Sequence, residues 1–122
     1  MSTKTREQER AKYALDKVRS VAKNEPKEYK SLVKGFSTMI YNNGLGQALA
    51  FLKAKKKSHH TALYKHISDW FLEDKNNVIT LKNDDLLSTI LQVGSKDYRY
   101  FTQEAIALLN WLRKFVDSEF ND

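Results

Sequence analysis

Glycine and proline are scarce in this chain, and their positions restrict its fold more than any other feature of the sequence. The 122 residues include four glycines and one proline, and Pro26, Gly44 and Gly94 each stand where one apolar repeat ends and another begins. Between these points, apolar side chains recur at steps of three and four residues, which is the spacing of one helix face. Glycine and proline are therefore predicted to mark helix ends, and the chain is predicted to be helical almost throughout.

The apolar repeat divides the chain into six predicted helices. The first four cover about residues 5–25, 26–43, 45–57 and 59–73, the third of them running into the lysines at its end. The fifth covers 83–94, and the sixth begins at 95 and runs towards the C-terminus. The last helix has a long continuous apolar stripe and is predicted to be the central helix of the core. Residues 74–83 are predicted to be irregular, with a possible extended segment at 78–81. We expect one domain over residues 1–122, an all-α single compact bundle of about six helices.

Several predicted helix ends carry side chains that cap helices. Thr5 and Gln8 can form a capping box for the first helix, although the hydroxyl residues before Thr5 would cap it equally well. Gly44 is suited to end the second helix in the left-handed backbone conformation. Asn83 and the two aspartates that follow it suit the start of the fifth helix. That helix is predicted to carry four apolar residues, Leu86, Leu87, Ile90 and Leu91, and to stop at Gly94.

Composition excludes several classes of protein. With no cysteine, the chain has neither cysteine-based catalysis nor disulfides. Its longest unbroken apolar runs, 48–52 and 105–109, are far shorter than the ~20 residues that span a bilayer. The polar start, residues 1–10, lacks the apolar stretch of a secretory signal. We therefore expect an intracellular, cytoplasmic protein that has no membrane partner.

The charge of the chain is unevenly distributed. There are 21 lysines and arginines against 15 acidic residues, a net charge of +6. Residues 1–60 hold 14 basic and 5 acidic side chains, net +9, whereas residues 61–122 hold 7 and 10, net −3. A basic half of this kind favours a polyanionic partner, either nucleic acid or an acidic membrane surface. A solvated surface that serves only solubility is the alternative.

Two groups of lysines carry much of this charge. At 100° per residue, Lys27, Lys30 and Lys34 fall within about 60° of one another, opposite the apolar face of the second helix. Tyr41 falls in the same sector. The third helix ends in four further lysines, Lys53, Lys55, Lys56 and Lys57. Lysines beside an aromatic side chain are typical of surfaces that follow a phosphate backbone, although ordinary solvent exposure explains any single lysine as well.

No motif in the sequence indicates catalysis, a cofactor or a metal site. His59, His60 and His66 lack the i, i+4 spacing that zinc ligands on one helix face require. The acidic pairs at 73–74 and 84–85 are sequence neighbours, whose side chains point in different directions on a helix. There is no glycine-rich phosphate loop and no nucleophile elbow. We therefore expect a protein that is not an enzyme and holds neither cofactor nor metal.

Two stretches resemble a known family. Residues 39–52, MIYNNGLGQALAFL, followed by the lysine run, resemble the signature of the small helical subunit of the type III-B CRISPR (Cmr) effector complex. Residues 102–115, TQEAIALLNWLRKF, are similar to the C-terminal helix of that family. Between them, Tyr64 and the 70–72 triplet WFL fall where the family tends to place a tyrosine and a tryptophan. The resemblance covers most of the chain, and its first motif is the more specific.

The resemblance implies a non-catalytic subunit that acts in antiviral defence. In that family, several copies stack beside a backbone of RAMP subunits that carries the guide RNA, and they help to form the groove where target RNA pairs with the guide. The implied partners are other Cmr complex subunits, its own copies in a short stack, guide RNA and target RNA. The expected RNA-binding residues are the lysines above together with the tyrosine: Lys27, Lys30, Lys34, Tyr41, Lys53, Lys55, Lys56 and Lys57.

Two alternatives remain open from the sequence. The chain could be a stand-alone basic helical module that binds duplex DNA or an anionic surface. Within the Cmr interpretation, the same lysines could serve either the RNA groove or self-association, since a basic half meeting the acidic half of the next copy would orient a stack.

Overall fold

The computed structural model describes residues 4–23, 26–73 and 85–120. These residues form six helices: α1 Arg6–Val21, α2 Pro26–Asn43, α3 Leu45–Lys55, α4 Ser58–Glu73, α5 Leu86–Ile90 and α6 Ser95–Glu119. No strand occurs within these three ranges. The predicted all-α class with six helices is confirmed. The segment predicted to be irregular, 74–83, lies outside the described residues.

Helix α6 forms the centre of the bundle, as its apolar stripe predicts. It packs most extensively against α1 and α2 and also contacts α5. Its inward face is closed to solvent along most of its length, at Phe101, Ala105, Leu108, Leu109, Leu112 and Val116. Each large apolar side chain removed from water contributes about 1.5–3 kcal/mol, so this stripe provides much of the free energy that holds the helices together.

The start of α1 has the predicted capping box. The backbone N–H of Gln8 donates to the Thr5 hydroxyl at 3.1 Å, and the backbone N–H of Thr5 donates to the side-chain oxygen Oε1 of Gln8 at 2.8 Å. Two N–H groups that the first turn leaves without helical partners are satisfied in this way. The box fixes where α1 begins, and it thereby sets the direction of Arg6 and Arg10 in the first two turns.

The corner between α2 and α3 depends on glycine. Gly44 ends α2 with φ 90° and ψ 157°, a combination that only glycine adopts without strain. A stop with positive φ was predicted, but its ψ is extended, so the left-handed helical geometry that we expected is wrong. The Tyr98 hydroxyl then accepts the Gly46 N–H at 2.8 Å, and a Cβ on Gly46 would lie 3.3 Å from that oxygen. The motif at residues 39–52 is thus a tight helix corner closed by α6.

Two other predicted boundaries are corrected by the structure. Gly35 lies in the middle of α2 and Gly46 in the first turn of α3, so these two glycines do not mark helix ends. The third helix was predicted to reach Lys57 but ends at Lys55, because Lys56 has the left-handed conformation, φ 59° and ψ 10°. Only two residues, Lys56 and Lys57, therefore separate α3 from α4.

Helix α5 is shorter than predicted at both ends. It begins at Leu86, with Asp85 as its N-cap accepting the Ser88 N–H at 3.0 Å, instead of starting at Asn83 with Asp85 in its first turn. The Tyr64 hydroxyl donates to the same carboxylate at 2.6 Å, which holds Asp85 outside the helix. The helix ends at Ile90, so Leu91 lies in the turn that follows and is 67% exposed. The prediction that Leu91 belongs to the fifth helix is wrong.

A buried carboxylate joins three helices. Glu104 of α6 is 4% exposed and accepts hydrogen bonds from Arg10 at 2.6 and 2.8 Å, from Arg6 at 3.2 Å and from the Trp70 indole at 2.9 Å. Burial alone would raise the pKa of Glu104, but the hydrogen bonds from Arg10 and Trp70 outweigh it, and the pKa lies below its ordinary value. This network ties α1 and α4 to the central helix.

A second buried polar contact involves His66 of α4. Its Nδ1 is hydrogen-bonded to the hydroxyl of the fully buried Tyr29 at 2.7 Å, and its backbone carbonyl accepts the Tyr13 hydroxyl at 2.5 Å. Burial, with a smaller contribution from Lys17, lowers the pKa of His66 to about 4. The ring is therefore neutral in the folded protein at pH 7, where it ties α2 to α4.

The free energy of unfolding is expected to decrease as the pH falls from about 6.5 towards 4. In this window the unfolded chain protonates His66, whose ordinary pKa is about 6.5, while the folded chain does not. The loss approaches about 1.4 kcal/mol per pH unit for one proton. Urea unfolding at pH 7, 6 and 5 measures it. In the His66→Asn variant, the asparagine does not titrate but retains an acceptor for the Tyr29 hydroxyl. The unfolding free energy of this variant should therefore depend less on pH than that of the wild type. An equal pH dependence in the two proteins would contradict the assignment of the effect to His66.

Candidate nucleic-acid interface

The structure brings some of the predicted lysines together at one end of the bundle. Lys27 is exposed at the start of α2 and lines a shallow groove of about 430 Å³ with Glu28, Ser31, Leu32 and His59, the last from the first turn of α4. Because α4 begins directly after the turn that ends α3, the exposed residues Lys55, Lys56 and Lys57 lie close to this groove. We call Lys27, Lys55, Lys56, Lys57 and His59 the basic end.

The other two lysines of the α2 row face α6. Lys34 Nζ lies 3.1 Å and Lys30 Nζ 3.8 Å from the Asp117 carboxylate, and the Lys30 side chain is only 17% exposed. The row that the helical wheel predicts as one surface is thus divided. Lys27 turns towards α4, whereas Lys30 and Lys34 help to fasten α2 to α6.

Tyr41 and Lys53 also lie away from the basic end. Tyr41 is 71% exposed, but it is about 21 Å from Lys27 along α2 at 1.5 Å per residue. Lys53 forms an ion pair with Asp85 at 3.2 Å and stands 5.3 Å from the centre of the Tyr64 ring. Burial would raise the pKa of Asp85, but hydrogen bonds from Tyr64 and Ser88 and the contact with Lys53 hold it well below its usual range. Lys53 is therefore part of the α5 cap.

The histidines are not arranged as metal ligands. His59 and His60 are neighbours, with ring centroids 4.2 Å apart, and His60 packs edge-on against Phe51. His66 is occupied by its contact with Tyr29. Among the residues that the structure describes, no group of three histidine, aspartate or glutamate side chains could hold a metal ion.

An apolar surface lies around Leu91, near the start of α3. Two adjoining hollows of about 590 and 460 Å³ share Leu91 and Tyr98 in their walls, and one of them also includes Gly46 and Ala50. The basic end is at the other end of α3, so this helix separates the two surfaces. Exposed apolar patches are typical of contacts between proteins. Sequence reasoning missed this surface, because it grouped Leu91 with the other apolar residues of the fifth helix.

Most of the acidic side chains that the structure describes in residues 61–122 are used in contacts within the chain. Nearly all described carboxylates of residues 61–122 are paired with a basic side chain: Asp69 with Lys65, Asp85 with Lys53, Glu104 with Arg10, Asp117 with Lys34 and Glu119 with Arg19. The described part of residues 61–122 therefore offers little unpaired negative charge to a basic surface of another molecule. Contacts within the chain account for part of the charge split that the sequence shows.

Comparison with known proteins places this fold and its motifs in one class. The profile of a family described as CRISPR-associated protein (Cas_Cmr5) matches residues 6–119, which include all six described helices. The chain is therefore of the class of CRISPR-associated proteins. None of its described helices is both long and apolar enough to cross a membrane.

Individual relatives agree with the family profile. A protein of Thermus thermophilus named CRISPR system Cmr subunit Cmr5 is 27% identical over 117 residues, which cover 94% of this chain and 96% of the relative. A protein of the same name from Thermotoga maritima is 31% identical over 121 residues, covering 93% and 84%. The crystal structure of a CRISPR-associated Cmr5 family protein from Thermus thermophilus has a TM-score of 0.82 at 27% identity, with 97% of this chain and 100% of that chain covered.

The chain belongs to the Cmr5 family, the small subunits of the Cmr complex of type III-B CRISPR systems. The resemblance noted at residues 39–52 and 102–115 is confirmed. Membership also implies that other Cmr subunits are its partners.

Proposed function

We propose that this protein is a non-catalytic subunit that stacks beside the RAMP backbone of the Cmr complex and helps to position guide and target RNA. The observation that carries the proposal is the basic end. The basic end has one lysine from α2, one from the end of α3 and two from the turn before α4, together with His59 of α4. None of these four lysines forms an ion pair with a carboxylate of the described residues. Lysines in this state are available to phosphates.

The contact with RNA is expected to be weak for one copy and insensitive to sequence. Lysine contacts to phosphate position a nucleic acid without reading its bases. Each phosphate contacted on a single strand adds about 0.7 to the slope of log affinity against log salt. A stack of copies would repeat the basic end along the RNA, so the assembled complex gains affinity that one chain lacks.

For contact between copies, the apolar surface around Leu91 is better suited than charge. Most carboxylates that the structure describes in residues 61–122 are paired within the chain, whereas Leu91 and the hollows beside it are open to solvent. We assign this surface to the neighbouring copy in the stack. The basic end then stays free for RNA, because the two surfaces lie at opposite ends of α3.

Tagged protein purified from its native host is expected to bring down RAMP subunits and a short guide RNA. Mass spectrometry of the proteins and sequencing of the RNA identify both. Recovery of the chain alone, together with binding to duplex DNA or anionic vesicles, would instead support a stand-alone basic module.

The same purification tests the assignment of the apolar surface. Leu91→Lys is expected to reduce the number of copies per complex in native mass spectrometry. Leu72→Lys is the matched control, since Leu72 is also exposed, at 45%, but lies on α4 outside both hollows. An equal number of copies in the two variants would rule out the Leu91 surface as the contact between copies.

A further inference from the structure

Two adjacent histidines, His59 of the basic end and His60 beside it, form neither a metal site nor an ion pair among the described residues. His59 lines the groove together with Lys27, and the His60 ring lies against it at 4.2 Å between centroids. His60 is 8% exposed, and its Nδ1 has no hydrogen-bond partner among the described residues. A buried polar atom without a partner costs free energy, and a native structure that retains one calls for a functional explanation.

The surroundings of the pair are mainly cationic. From α2, Lys27 and Glu28 line the groove beside His59. From the end of α3 and the turn that follows it, Lys55 and Lys57 act on His60. Burial is the largest cause that lowers the pKa of His60, and the charges of His59, Lys55 and Lys57 lower it further. His60 is therefore held neutral near pH 7.

We propose that this groove is a phosphate site, and that binding of an RNA phosphate there is coupled to uptake of one proton by the His59–His60 pair. The inference rests on the RNA-positioning function proposed above and adds to it a specific contact and a dependence on pH. Lys27 and His59 reach the groove from two helices, and Ser31 adds a hydroxyl donor. Glu28 on the same wall disfavours a dianion, so the site favours the single charge of a phosphodiester over a terminal phosphate.

The coupling is a consequence of electrostatics. An anion in the groove offsets the repulsion from the lysines and stabilises an imidazolium beside it. Two imidazolium rings at this spacing repel each other, so the pair takes up a single proton. By thermodynamic linkage, the factor by which bound phosphate raises the proton affinity of the histidine pair equals the factor by which protonation of the pair raises the phosphate affinity of the groove.

The test compares binding of a fluorescent single-stranded oligouridylate to the full-length chain at pH 8 and pH 6 and at constant low ionic strength. The wild type should bind about three- to tenfold more tightly at pH 6 than at pH 8, which is within the roughly hundredfold limit that uptake of one full proton sets over two pH units. Replacing both rings, His59→Gln with His60→Gln, leaves no imidazole beside the groove, so the affinity of this double variant should change much less with pH. Calorimetry in two buffers of different ionisation enthalpy should show net proton uptake on binding, up to one proton, for the wild type and little for the double variant. No uptake by the wild type would contradict the coupling.

The possible results separate the inference from the function on which it rests. If RNA binding needs Lys55 and Lys57 but the pH dependence is the same in the wild type and in the double variant, the coupling is wrong and the RNA role stands. If oligouridylate does not bind at all, the RNA role fails, and inorganic phosphate at pH 6, where it is mainly a monoanion, still tests the groove. In that case the His59 and His60 ring resonances should shift on addition of phosphate in the wild type and not in Lys27→Gln; unchanged resonances in the wild type would overturn the phosphate site as well.

Discussion

Glu104→Gln is expected to lower the free energy of unfolding by about 3–5 kcal/mol, the loss usual when one partner of a buried ion pair is removed. The substitution leaves the size of the side chain nearly unchanged, so the loss comes from charge and not from a cavity. Arg10 would then lie against a neutral amide at a site where its own side chain is only 16% exposed. Urea unfolding monitored by circular dichroism measures the loss, and the melting temperature should fall by about 10 °C or more.

The control for this prediction is an ion pair that is open to solvent. Lys12 and Asp16 of α1 form a contact of 3.2 Å with side chains 63% and 60% exposed, and exposed pairs contribute about 0–1 kcal/mol. Asp16→Asn should therefore change the unfolding free energy by well under 1 kcal/mol. A similar small loss for Glu104→Gln would mean that the buried network does not hold α1 and α4 to α6.

Neutralising the basic end is expected to weaken binding of single-stranded RNA by tenfold or more at low salt. The variant combines Lys27→Gln, Lys55→Gln, Lys56→Gly and Lys57→Gln; glycine is chosen at position 56 because it suits the left-handed conformation there. Because up to four lysines would no longer neutralise a phosphate, the slope of log affinity against log salt should become shallower by up to about 3. Fluorescence anisotropy over a salt series measures both quantities, and the melting temperature should not fall.

The matched variant removes two lysines of the same α2 row that face α6. Lys30→Gln with Lys34→Gln takes from Asp117 the basic partners at 3.8 and 3.1 Å, so it should lower stability by about 1 kcal/mol or less and affect RNA binding only slightly. If this double variant reduced RNA affinity as much as the basic-end variant, the contacts of Lys30 and Lys34 with Asp117 would not separate them from Lys27 in RNA binding. All three lysines of the α2 row would then belong to one RNA-binding surface, as the helical wheel predicts.

Helix content and most helix limits could be predicted because they depend on neighbours in sequence. The three- and four-residue repeat identified six helices, and the Thr5–Gln8 box lies where the capping pattern placed it. Boundaries failed where a distant residue decided them. Asp85 is held as an N-cap by Tyr64, 21 positions earlier in the chain, and nothing in the local sequence around residues 83–86 indicates that contact.

The candidate site could be predicted only in part. A helical wheel places Lys27, Lys30 and Lys34 on one face, but it contains no information about Asp117, which lies 83 residues beyond Lys34 and pairs with it. The groove between Lys27 and His59 likewise requires α2 and α4 to be adjacent. One signal for the buried network was present in the sequence: Glu104 interrupts the apolar stripe of α6, and Arg6 and Arg10 lie one turn apart on α1.

The sequence by itself determined the helical class, the approximate helix limits, the excess of positive charge and, through residues 39–52, the resemblance to the Cmr5 family. Each of these depends on composition or on the spacing of residues within one or two helical turns. The tertiary structure decided which lysines remain available to phosphate, which carboxylates are already paired, and that Leu91 lies at the surface. Ion pairs and burial are set by side chains that are far apart in sequence and meet only when the helices pack, so no local pattern specifies them.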